Sequence, residues 1–167
     1  MKFLLFLIFF SGSAFAQQSP DVYGNQVTFS TDGTTDTYLD NALTAPIGVA
    51  AGTPAGPVYL ALAKKVNLSI FMAAEQAYVE ARYSTPTRML FFGLYVNSVI
   101  NSLANRGTYL AQLFTWQNAG LALATTYIAN VNSQTTPAAV LAITPDFSSL
   151  TSSDPLITPM GAILISN

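Results

Sequence analysis

TYLAQLFTWQNAGLALATTYIANV, residues 108–131, decides the class of the fold. It holds no charged residue and no proline. Tyr109, Leu113, Trp116, Gly120, Leu123 and Tyr127 recur at steps of four and three, the seam of a closely packed helix pair. Leu110, Phe114, Leu121 and Ile128 form a second stripe. Together the stripes cover about half the circumference of a helix, more than one neighbour needs. Gln112, Thr115, Asn118, Thr126 and Asn130 close the circle. The spacing predicts a helix from about Thr108 to Val131 with apolar surface to spare.

Gly107, just before it, suits the residue that stops a preceding helix. That helix is predicted over residues 86–106. Thr85 is its N-cap and Pro86 its first helical position. Met89, Phe92, Val96, Val99, Ile100 and Leu103 form its core face. A further helix is predicted over residues 57–83. Tyr59, Ala63, Val66, Ile70, Ala73, Ala74, Ala77, Tyr78 and Ala81 share one arc of it. Leu68, Met72 and Val79 interrupt the opposite, polar arc as another apolar stripe. The short connection at Gly107 predicts antiparallel neighbours.

Outside this helical stretch the pattern changes. Val27-Thr28-Phe29-Ser30-Thr31 alternates as a half-buried strand does. Asp32-Gly33 follows, a dipeptide that favours a type I′ hairpin turn, with residues 34–39 as the return strand. Residues 44–57, rich in Pro and Gly, read as a loop. Beyond residue 131, Pro137, Pro145, Pro155 and Pro159 forbid a long helix. Gly161 to Ile165 reads as a terminal strand able to pair with the N-terminal hairpin. The expected fold is mainly α to α+β: a three-helix antiparallel bundle with a short N-terminal hairpin and a C-terminal strand. The hairpin and loop occupy residues 17–56, the bundle 57–131 and the Thr/Ser/Pro-rich tail 132–167, all within one domain.

Residues 1–16 read as a signal peptide. Lys2 precedes an apolar run over residues 3–10, and Ala14-Phe15-Ala16 places small residues where a signal peptidase needs them. The run is shorter than the roughly 20 residues that span a bilayer. The expectation is a secreted, periplasmic or otherwise extracellular protein with no integral membrane segment after Gln17.

Composition narrows the chemistry. The chain contains neither Cys nor His. Thiol chemistry, cysteine zinc sites and iron–sulfur clusters are excluded, and the commonest general base is absent. Only 8% of residues are charged, against about 25% in ordinary soluble proteins. Lys64, Lys65, Arg82, Arg88 and Arg106 form no basic cluster, which argues against nucleic acid as a partner. A neutral surface of amides and hydroxyls suits a chain that packs against copies of itself.

Candidate catalytic and ligand sites are weak. Asp32, Asp36 and Asp40 recur every four residues, but the Asp-Gly turn between the first two reads as solvated loop rather than a calcium site. Glu75 and Glu80 diverge on a helix and do not form a glycosidase pair; Glu75 is expected to pair with a nearby Lys or Arg, Arg82 being close on the wheel. Lys64 and Lys65 lack the preceding serine of a Ser-Lys nucleophile. Gly48, Gly52 and Gly56 have no P-loop lysine in register. Asn67-Leu68-Ser69 is a sequon inside a predicted helix, toward its apolar arc. No catalytic, cofactor or metal residues are assigned.

Two function classes remain. The first is a non-enzymatic structural protein that assembles with copies of itself into oligomers or fibres. Its contacts would be Leu68, Met72, Val79, Leu110, Phe114, Leu121 and Ile128, with Ile163, Leu164 and Ile165 adding to a neighbour's sheet. The second is an extracellular carrier holding a small apolar ligand between helices, around Phe92, Tyr109, Trp116 and Tyr127.

Overall fold

The computed structural model describes residues 16–17, 19–82, 93 and 103–153. The fold is mixed α+β. Strands β1 (Ala16–Gln17), β2 (Val27–Thr31), β3 (Thr35–Asp40) and β4 (Ile47–Ala50) precede two long helices, α1 (Ala55–Arg82) and α2 (Leu103–Ser133), and two short ones, α3 (Pro137–Leu141) and α4 (Ser148–Ser153). Two compact units divide between Val66 and Asn67, inside α1.

In the N-terminal unit the strands form one antiparallel sheet in sequence order. The β2–β3 hairpin forms where alternation places it, with Val27 opposite Asp40 and Thr31 opposite Asp36. Its turn is not type I′, which needs positive φ at both central residues. Only Gly33 has it, at +88°. The Asp32 carboxylate organises the turn instead, accepting from the amides of Thr34 (2.8 Å) and Thr35 (2.7 Å) and from the Thr34 hydroxyl (2.7 Å).

The expected loop over residues 44–57 contains strand β4. Tyr38 pairs with Ile47 and Asp36 with Val49. Ile47 and Val49 alternate inward onto the core, a period-two signal that the surrounding Gly and Pro obscure. That core is Val27, Tyr38, Val58 and Leu62, with Phe29, Leu43 and Tyr59 packed on it. The bond expected to be cut by a signal peptidase, Ala16–Gln17, lies within β1, whose residues pair with Phe29 and Thr28.

Helix α1 does not bury a single stripe. Its early turns bury Val58, Leu62, Ala63 and Val66. In the C-terminal unit Asn67 and Phe71 are buried instead, and Ile70, expected on the core face, is 41% exposed. Helix α2 corrects the boundary at Gly107: one helix runs from Leu103 through Gly107 to Ser133. Gly107 lacks the positive φ of a helix stop. A helix-interior glycine costs only about 1 kcal/mol, which does not end a long helix. Apart from Gly93 and Leu103 onward, the expected second helix lies outside the described residues, as does the terminal strand at residues 161–165. The three-helix antiparallel bundle is therefore not what the described residues form.

The short helices have local causes. Thr136 caps α3, its hydroxyl accepting from the Ala139 amide at 3.2 Å, and Pro137 takes the first helical position. Asp146 accepts from the Ser148 amide at 2.9 Å where α4 begins. That bond holds its carboxyl below the usual value. No helix among the described residues is long and apolar enough to cross a membrane.

Candidate functional site

The C-terminal unit is built on two buried arrangements. Asn67 Nδ2 donates to the carbonyls of Val140 (3.1 Å) and Ile143 (3.0 Å). The Tyr127 hydroxyl donates to Asn67 Oδ1 at 2.7 Å. One side chain thus ties α1, α2 and the end of α3 together, with its polar atoms satisfied out of water. Beside it runs a column of rings. Tyr127 stacks on Phe71 (centroids 4.2 Å apart), Phe71 on Phe147 (5.6 Å) and Phe147 on Tyr78 (5.2 Å). Asn67 is only 2% exposed and its amide is committed, so the sequon is inaccessible in the fold. Tyr127 belongs to this network and core.

Trp116 is fixed separately. Its indole N–H donates to the Leu150 carbonyl at 3.2 Å, holding α4 against α2. Next to it opens a cleft of about 300 Å³. Helix α1 contributes Glu75, Tyr78 and Val79, helix α2 Trp116, Gln117, Gly120, Leu121 and Ala124, and Leu150 closes one side. Gly120 leaves space here: a Cβ built on it meets only Leu150 Cδ1, at 3.9 Å. Glu75 is the one charged residue of the described lining and is half-buried. Among the described residues no hydrogen bond or ion pair holds it; the side chain of Arg82, its expected partner, lies outside them. A shallower groove of about 640 Å³ continues along α1 past Met72, Glu75, Gln76, Val79 and Glu80.

Exposed apolar side chains lie on both long helices of this unit. Met72 is 67% exposed, Phe114 60% and Leu121 68%. Val79 and Ile128 are also exposed, whereas Leu68 is half-buried. Of the expected ligand-pocket residues, the cleft brings in Trp116 but not Tyr127. Phe92, the side chains of Tyr109 and Leu110, and Ile163, Leu164 and Ile165 lie outside the described residues. Glu75, Gly120 and Leu150 are lining residues that sequence reasoning missed. Gly120 was legible as a gap in a seam of large residues; the approach of Leu150 was not.

The N-terminal unit holds a second polar arrangement. Asp36 and Asp40 are not in a solvated loop. They alternate with Tyr38 on the inward face of β3, 8% and 0% exposed. Asp36 accepts from the Gly52 amide at 2.9 Å. Asp40 Oδ1 accepts from the Ala42 amide at 2.9 Å, while its buried Oδ2 has no donor. Beside it, Asp21 is saturated, accepting from the amides of Tyr23 (2.8 Å) and Asn25 (2.7 Å) and from the Asn25 side chain (2.9 Å). Burial, with the neighbouring Asp21 carboxyl, pushes Asp40 up to about 6 against the pull of the Ala42 amide. Burial likewise raises the Tyr59 phenol, whose hydroxyl donates to the Ser19 carbonyl at 2.7 Å. Asp32 is exposed in the turn and does not join them, and no group of three acidic side chains among the described residues is placed to hold a metal ion.

Comparison with protein-family models, curated proteins and solved structures finds no match to this chain.

Proposed function

We propose that this chain is an exported, non-enzymatic structural subunit that assembles with copies of itself through one apolar face of its C-terminal unit. The observation that carries this reading is the exposure of Met72, Phe114 and Leu121. Large apolar side chains left exposed mark interfaces when they form a contiguous patch. Their spacing adds to it. Met72 and Val79 are one heptad apart on α1, and Phe114, Leu121 and Ile128 follow at heptads on α2, the repeat that lets helices of different chains interdigitate. Scarce charge removes the repulsion that keeps monomers apart. Export rests on the apolar run and the Ala14-Phe15-Ala16 junction, and N-terminal sequencing of the protein recovered outside the cells tests it, Gln17 being the expected first residue.

Sedimentation velocity across a wide concentration range tests the assembly. The natural chain forms oligomers that grow with concentration, and the double variant Phe114→Ser, Leu121→Ser sediments as a folded monomer. A natural chain that stays monomeric at the highest concentration overturns the proposal.

A second reading is that the chain carries a small apolar ligand in the cleft beside Trp116. The observation favouring it is a cleft at the small end of ligand-pocket volumes, with a fixed indole wall and a glycine floor. Trp116 is the sole tryptophan, so its emission reports occupancy directly.

A further inference from the structure

We infer that the Trp116 cleft selects an amphiphilic primary amine, an alkyl or aryl body with one ammonium group, and rejects carboxylates. This rests on the ligand-cleft reading and names the ligand class for it. The argument starts from charge. Glu75 is the sole formal charge on the described lining, and the adjoining groove adds Glu80 and no cation. A carboxylate ligand entering the cleft meets a like charge and, among the described residues of the lining, no counter-ion. A neutral alcohol gains the burial of its chain and at most an uncharged donor's bond to the carboxylate.

An ammonium gains more. Glu75 is half-buried on the rim, and among the described residues nothing pairs with it. An incoming N–H therefore finds a carboxylate that has no bond to give up. Two aromatic residues, Tyr78 and Trp116, also line the cleft, and Trp116 spends its N–H on the Leu150 carbonyl. Cations are attracted to aromatic faces. The apolar body then takes the space that Gly120 leaves open between Leu121 and Leu150.

The test is a Trp116 fluorescence titration of the full chain with octylamine hydrochloride, 1-octanol and sodium octanoate, each below its aggregation threshold, at neutral pH. Octylamine gives a saturable shift with an affinity about tenfold tighter than octanol, the gain of one charge-assisted hydrogen bond. Octanoate gives none. Glu75→Gln removes most of the octylamine advantage over octanol. If Glu75→Gln leaves the octylamine affinity intact, or octanoate binds as tightly as octylamine, the amine inference is overturned while octanol binding keeps the apolar cleft. If none of the three moves Trp116 emission, the cleft reading falls and the inference with it.

Discussion

The Tyr127 hydroxyl lies 2.7 Å from Asn67 Oδ1, and this bond joins the two long helices at the centre of the C-terminal unit. Asn67 uses both of its amide hydrogens on the carbonyls of Val140 and Ile143. In a core without salt bridges among its described residues, a saturated amide of this kind sets which helix faces meet. An apolar residue of similar size would fill the volume but remove all three bonds of the amide, leaving the Tyr127 hydroxyl with the Ile143 carbonyl at 3.3 Å and the Val140 carbonyl with the Ile143 amide at 3.0 Å.

Asn67→Leu is therefore expected to cost about 1–3 kcal/mol, because three buried hydrogen bonds are lost while the Val140 and Ile143 carbonyls and the Tyr127 hydroxyl each keep one other partner. Tyr127→Phe removes one donor and costs about 1–2 kcal/mol. Urea denaturation followed by Trp116 fluorescence measures both. The double variant costs less than the sum, since each change already breaks the same bond. For the same reason, chain secreted from a glycosylating host and folded before modification carries no glycan on Asn67, which intact mass checks.

Asp40 makes the N-terminal unit more stable in mild acid. In the fold its carboxyl stays protonated to about 6, against 3.8 for the ordinary group. Between those values the folded state binds more protons than the unfolded chain. The contribution is complete below 3.8 and is lost as pH rises through 6, amounting to roughly 2–3 kcal/mol. Amide hydrogen exchange in β2 and β3 reads this unit by itself. The exposed Asp32 and Asp146, both held low, act in the opposite sense at more acidic pH. Comparing the natural chain with Asp40→Asn cancels them, and the variant is expected to show no slope between the two values.

Two glycines, one in the hairpin turn and one inside a helix, respond oppositely to alanine. Gly33 sits at φ +88°, which an L side chain rarely adopts, so Gly33→Ala destabilises the hairpin by about 1 kcal/mol. Gly107 is helical, and a Cβ there meets nothing within 4 Å. Gly107→Ala is expected to stabilise by about 1 kcal/mol, the helix-propensity difference. Thermal melts of the two variants check the pair, and a loss of stability at Gly107 would show that a chain stop is needed there after all.

Gly120→Leu separates the cleft from the fold. The added side chain projects into the open space beside Trp116 and meets Leu150 at its flexible end. The variant is expected to fold at least as stably as the natural chain, by the propensity gain, and to lose the Trp116 response to octanol and octylamine alike. Retained response in a folded variant would place binding elsewhere.

Much of this fold was legible locally. The alternation from Val27 to Thr31, the Asp32-Gly33 turn and the helical periods from Tyr59 onward and from Leu113 to Val131 are short-range patterns, each set by the geometry of a strand, a turn or a helix. Strand β4 was missed because Ile47 and Val49 alternate inside a run of Gly and Pro that signals a loop. Gly107 was misread because a glycine ends a helix only when φ turns positive, which composition does not show. The candidate site divides the same way. The stripe of Met72, Val79, Phe114, Leu121 and Ile128 could be read from spacing. That Glu75, Trp116 and Leu150 line one cleft could not, because it depends on how α1, α2 and α4 pack.

By itself the sequence determined the β2–β3 hairpin and the helical stretches, the scarcity of charge and the absence of cysteine and histidine chemistry, since each is a property of residues close together along the chain or of the whole composition. Only the tertiary structure decided that Asp40 is buried against Asp21, that Asn67 is a tie between helices and that Leu150 closes a cleft beside Trp116. These pairings join residues far apart in the chain, and their energies come from exclusion of water, which no local pattern encodes.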